Sequence, residues 1–83
     1  GGGDVEEMAT ARITIEAHGY RWRVHGDQRG KHWRSHLIEL LGNERLDVPL
    51  NRELRWELRR AVAKFLVLQV EDVQPIRVDL ILA

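Results

Sequence analysis

Four histidines, one serine and a series of arginines are the side chains of this sequence with the types to do chemistry. His32 and His36 stand four apart, which on a helix would turn two imidazoles toward one metal ion. Zinc would need further ligands. The chain has no cysteine, and no carboxylate stands at a diagnostic spacing from the pair. The histidines are therefore expected as solvated polar residues on a basic face, a residue type that titrates near neutral pH. Ser35 precedes His36, but adjacent side chains on a helix diverge, and a hydroxyl nucleophile needs a base and an orienting group within reach. The acids are scattered and offer no seat for paired-carboxylate chemistry. The glycines match no phosphate-binding loop. No catalytic residue, metal or cofactor is expected, and the chain is read as a non-enzyme.

A second set is more suggestive: Arg12, Arg21, Arg23, His25, Arg29, Lys31 and Arg34. Between residues 12 and 36 six arginines or lysines stand against Glu16 and Asp27, a net +4 in a chain whose formal charge is zero. A local basic bias points to acidic partners. Arginine on a β-ribbon can meet phosphates, and Trp22 and Trp33 are interleaved with the arginines in sequence. The strand pattern below turns Tyr20 and Trp22 away from them, which leaves a basic patch without a stacking platform. A nucleic-acid-binding module using this patch is the alternative reading.

The element around which the chain is organised is a long helix over about residues 51–68, NRELRWELRRAVAKFLVL. With 100° per residue, Leu54, Leu58, Ala61, Val62 and Phe65 share one broad face, the apolar stripe of a helix on a core. The opposite face carries Arg52, Arg59 and Arg60, and with them Trp56, Ala63 and Val67. Three placements are open for that second stripe. Trp56 can lie over the Arg59 and Arg60 stems. Another part of the chain can cover the stripe. Or the stripe docks on a partner, since Trp and Arg most often dominate binding energy. The first expectation for function is the last of these: a protein-protein interaction module of subunit, adaptor or inhibitor type, contacting another protein or a second copy of itself through Trp56, Arg59, Arg60, Ala63, Val67 and Arg52.

The remaining elements follow from periodicity. Residues 10–18 and 20–25 alternate apolar and polar, and a two-residue turn at His18-Gly19 pairs Ala17 with Tyr20, Ile15 with Trp22 and Ile13 with Val24. Every apolar side chain of this hairpin (about residues 11–25) then falls on one face, and Glu16 faces Arg21 on the other. Residues 26–30 read as a loop. Residues 31–35 fit a strand with Trp33 inward or the approach to a helix. Leu37, Ile38, Leu40 and Leu41 read as a short helix over about residues 35–41, capped by Ser35 and ended by Gly42. Asn51 caps the long helix, with Glu53 in its first turn. Residues 76–82 alternate as a final strand, with Ile76, Val78, Leu80 and Leu82 inward and Arg77 and Asp79 outward. Ile81 breaks that polar face.

These elements make a small α+β domain, its helices packed on one face of the sheet. Residues 1–7, GGGDVEE, read as a tag-like flexible leader, and residues 8–83 as a single domain. At 83 residues the core is modest. The absence of cysteine suits a reducing cytoplasm. No apolar run reaches the roughly 20 residues of a membrane span. The segments AVAKFL and IRVDLILA resemble the closing helix and strand of small nuclease-like proteins related to Holliday-junction resolvases. The acidic metal-binding strand of that family, with its Glu-x-Lys, has no counterpart here, so the resemblance implies no activity.

Overall fold

A computed structural model describes residues 7–42 and 47–82; the expected leader lies, Glu7 apart, outside them. The order is β1 (Met8–Ala17), β2 (Tyr20–Arg29), β3 (His32–Leu40), α1 (Arg52–Leu66) and β4 (Ile81–Leu82), with 3-10 turns at Val70–Asp72 and Val78–Leu80. The strands form one sheet in the order β1-β2-β3-β4. The first three are antiparallel neighbours, and β4 adds parallel to β3. The α+β class expected from periodicity holds, with one helix on the sheet.

The first hairpin has the register read from its pattern: Ala17 pairs with Tyr20, Ile15 with Trp22 and Ile13 with Val24. Both turn residues, His18 and Gly19, have positive φ. That is the geometry whose twist matches the flanking strands. Beyond the expected bounds, both strands continue to Met8 and Arg29. Gly26 therefore lies inside β2 rather than in a loop, and the turn falls at Gly30, φ 57°, and Lys31.

The short helix expected over residues 35–41 is a strand. Trp33, Ser35 and Ile38 are buried on the inner face. The spacing that mimicked a helix comes from a β-bulge: His25 pairs with Leu37 but Gly26 with Ser35, so His36 is an extra residue in β3. An extra residue resets the two-residue alternation. Ile38 is thereby brought inward, next to an outward Leu37. Gly26 belongs to the same device. A Cβ there would collide with Trp33 Cζ2 and lie 2.5 Å from the Arg34 carbonyl oxygen. The Trp33 ring lies across the glycine, and its indole N–H donates to Ser35 Oγ at 2.8 Å. The other buried indole, Trp22, donates to the Ala17 carbonyl at 2.9 Å. Both rings thus enter the core without an orphaned donor.

α1 starts where expected, with the Asn51 side chain accepting from the Leu54 N–H at 2.9 Å. It buries Leu54, Leu58, Val62 and Ala63 in one cluster with Ile13, Trp22, Val24 and Ile38. It ends at Leu66. Leu68 N–H bonds to the Ala63 carbonyl and Val67 N–H to that of Lys64, the paired bonds of a Schellman end. Val67 sits there at φ 56°, a left-handed conformation that suits glycine and strains a β-branched residue.

The expected final strand is largely replaced. The tail joins β3 at Val73, opposite Trp33, and again at Ile81 and Leu82, opposite Ile38 and Glu39. Eight steps of tail thus run beside five steps of β3, and the turn at Val78–Leu80 takes up the excess. That turn shifts the alternation, so Ile76 and Ile81 are buried and Val78 is exposed. Ile81, the residue that broke the expected polar face, is core.

Gly26→Ala tests the close approach. Overpacking of this kind costs about 1–3 kcal/mol, and the denaturant midpoint should fall accordingly with the m-value unchanged. A midpoint equal to that of the parent would refute the contact.

Candidate functional site

The two residue sets singled out in the sequence occupy opposite sides of the molecule. α1 covers the inner face of the sheet. The outer face is covered by nothing among the described residues. Alternation along β1 turns Thr10, Arg12, Thr14 and Glu16 outward, and along β2 it turns Arg21, Arg23, His25, Asp27 and Arg29 outward. From β3 come His32, Arg34, His36, Leu37 and Glu39, two of them adjacent because of the bulge. Lys31 lies in the β2–β3 turn. The structure therefore brings all seven residues of the basic set to one face or its rim. Arg12, Arg21, Arg23, Arg29, Lys31 and Arg34 are exposed, and His25 is half-buried.

Charge pairing on this face is selective. His25 Nε2–H donates to Glu39 Oε1 at 2.6 Å, and His36 Nε2–H donates to Asp27 Oδ2. The ring nitrogen is the donor in each case, because a carboxylate can only accept. Thr10 Oγ1 donates to the other Asp27 oxygen at 2.9 Å, so a polar line crosses all three strands. The remaining histidines pair with acids off the face: His18 with Glu57 of α1 at 3.1 Å, and His32 with Asp72 at 3.5 Å. Two of the three carboxylates on the outer face are thus engaged by imidazoles. Among the described residues, none of the five arginines there has a carboxylate within 4.0 Å; the arginine–carboxylate pair is Arg77–Asp79, in the tail.

No signal in the sequence announced the histidine–acid pairs. His32 and His36 lie on a strand interrupted by a bulge and go to different acids, not to a shared ligand. Among the described residues, no group of three or more histidines, cysteines or acids is placed to hold a metal ion. Ser35 is buried and accepts the Trp33 indole N–H.

The helix set fares differently. Trp56 is 46% exposed and Val67 89%, and Arg52 and Arg60 are exposed. Ala63, expected on the outer stripe, is buried, and Phe65, expected in the core, is 55% exposed. The cause is the returning tail: Arg59 Nε–H donates to the Val73 carbonyl at 2.7 Å, holding the tail against that flank of α1. The buried arc of the helix is therefore turned toward Ala63 and away from Phe65. Arg59 is half-buried, with its guanidinium 5.6 Å from the centre of the Trp56 ring. That stacking contributes about 0.5–1 kcal/mol at an exposed site. The six residues thus do not form a continuous stripe.

Comparison with protein-family models, with curated proteins and with solved structures gives no match. No helix of the described residues is long and apolar enough to cross a membrane.

The hydrogen bonds from His36 and Thr10 hold the Asp27 carboxyl below its ordinary value of 3.8. A depressed native value means that Asp27 contributes stability above its unfolded-state value and loses it as the pH falls through the lower native one. Asp27→Asn should therefore flatten the loss of stability below about pH 4. Parallel acid-unfolding curves for the two proteins would show that the network is not formed in solution.

Proposed function

We propose that this domain is a non-enzymatic nucleic-acid-binding module that uses the outer face of β1, β2 and β3. The observation that carries the reading is the uncovered face bearing five arginines with, among the described residues, no carboxylate within 4.0 Å, and with Lys31 at its rim. Guanidinium groups held on a rigid ladder meet phosphate oxygens with little ordering cost beyond their own side chains, and displaced counterions drive the association. The two carboxylates that would oppose a polyanion at the centre of the face, Asp27 and Glu39, are engaged by His36 and His25. The cysteine-free composition fits a cytoplasmic setting.

The test is binding to mixed nucleic acids at low salt, followed by a salt titration. With about three to six phosphate contacts, affinity should fall roughly 40- to 2,000-fold between about 50 and 200 mM salt. The double substitution Arg12→Glu, Arg23→Glu should abolish binding with the circular-dichroism spectrum intact, while Trp56→Ala should leave binding unchanged. No binding by the parent protein at micromolar concentration would discard the reading.

A second reading rests on the end of α1. Val67 is apolar, 89% exposed and held at positive φ where glycine is usual, and Phe65 and Trp56 are exposed on the same helix. This surface would serve a second copy of the chain or a partner protein, as a subunit, adaptor or inhibitor does. Val67→Gly should relieve the backbone and raise stability by about 1 kcal/mol. On the docking reading the same change, and Trp56→Ala, should weaken self-association in light scattering. A monomer with unaltered mass in every variant would exclude self-association through this surface.

A further inference from the structure

Resting on the nucleic-acid reading of the sheet face, we infer that its ligand is double-stranded DNA, taken along the major groove. The first ground is the absence of any aromatic ring on the outer face of the three long strands. Single strands are held by stacking their bases on aromatic side chains as well as by a basic track. Here Trp22 and Trp33 are fully buried on the inner face. Tyr20 shares that face, edge-on to Trp22 with centroids 6.5 Å apart. Trp56 and Phe65 belong to α1, on the other side of the sheet. A splayed base would find no aromatic platform on this face and only guanidinium planes to stack on, whereas a duplex keeps its bases stacked on each other and asks only for contacts to phosphates and base edges.

The second ground is dimension. Strands of ten residues extend about 34 Å, close to one turn of B-form DNA, and a pair of strands, each occupying about 4.8 Å, makes a ribbon about 10 Å wide. The major groove of B-form DNA is about 12 Å wide and admits a two-stranded β-ribbon, here β2 with one neighbour and the third strand at the groove's edge, whereas the major groove of A-form RNA is deep and too narrow for side chains to read. With the sheet laid along the groove, the central strand faces the floor. Its outward row runs Arg21, Arg23, His25, Asp27, Arg29, a sequence of donors interrupted by one acceptor. The arginines of such a row match base edges, guanidinium to guanine O6 and N7, while Asp27 stays held by Thr10 and His36. Arg12 on β1 and Arg34 on β3 flank it, at the phosphate walls.

The experiment uses the full chain and fluorescence anisotropy at fixed low salt. Three probes are a mixed-sequence DNA duplex, one of its strands alone, and the RNA duplex of the same sequence. Duplex DNA should bind at least roughly tenfold tighter than either of the others, a difference of about 1.4 kcal/mol. A second duplex, with glucosylated hydroxymethylcytosine filling the major groove, should lose most of that affinity, and a minor-groove-binding drug should not compete. Arg34→Ala should weaken binding to all DNA duplexes alike, and Arg23→Ala should also narrow the spread of affinities among them. Equal or tighter binding to the single strand or to RNA, or indifference to the filled groove, overturns the inference while leaving a polyanion-binding face. Failure to bind any of the probes overturns the nucleic-acid reading itself.

Discussion

Trp33 laid across Gly26 is the contact on which the rest of the architecture depends. The inner face of β2 has no room for a Cβ at that position, so the ring sits almost on the backbone of the neighbouring strand. The Gly26–Ser35 pairing and the bulge at His36 follow from keeping the ring there. The same residue receives the tail: Gln74 N–H donates to the Trp33 carbonyl at 2.8 Å, and Val73 bridges beside it. One residue thus takes part, through its ring, in the register of the β2–β3 hairpin and, through its backbone, in the return of the tail to the sheet. In a domain of this size, with one modest core, such sharing substitutes for additional layers.

The bulge also shapes the outer face. By turning both His36 and Leu37 outward, it lets β3 keep Ile38 in the core while presenting an imidazole to Asp27 from the neighbouring strand. The carboxylate is then held by Thr10 on one side and His36 on the other, and the arginines in the adjacent rows are left to solvent. Packing on the inside and charge arrangement on the outside are two results of one extra residue.

The parts of the fold legible in the sequence were those in which local pattern and tertiary structure agree. The first hairpin could be paired residue by residue because its turn length and its apolar alternation select the same register. The helix start could be placed because Asn51 caps it by local chemistry. The misread stretches are those where a long-range contact overrides local periodicity. Leu37, Ile38, Leu40 and Leu41 carry helical spacing only because a bulge interrupts a strand, and the reason for the bulge lies across the sheet, at Gly26. The tail of residues 76–82 alternates as a strand would, yet it must span more chain than β3 offers, and a 3-10 turn at Val78–Leu80 shifts its parity. Ala63 and Phe65 exchanged environments because the tail, tethered by Arg59, covers one flank of α1. The basic set was legible because strand alternation places charges without knowledge of what lies beyond the sheet. The histidine–acid pairs were not, since they join residues up to 40 positions apart.

The choice between the two surfaces turns on what each costs the folded chain. The helix surface is already partly used: Arg59 serves the tail, Ala63 is core, and the Trp56 ring lies against an arginine of its own helix. Its remaining exposed apolar groups, taken singly, are of a kind common on globular proteins. The sheet face is different. Arg21 and Arg23 project from the same strand at neighbouring outward positions, and Arg12 lies diagonally across from Arg23. Like charges on adjacent sites of a sheet oppose folding, and nearby carboxylates would relieve them. Here two of the three carboxylates of the face, Asp27 and Glu39, are held by histidines, and Glu16 stands opposite Arg21. On the proposed reading, a polyanion would supply the negative charge that the histidines take up. The proposal of a phosphate-bearing ligand therefore rests on the exposed arginines of the sheet, which the packing of the core does not require.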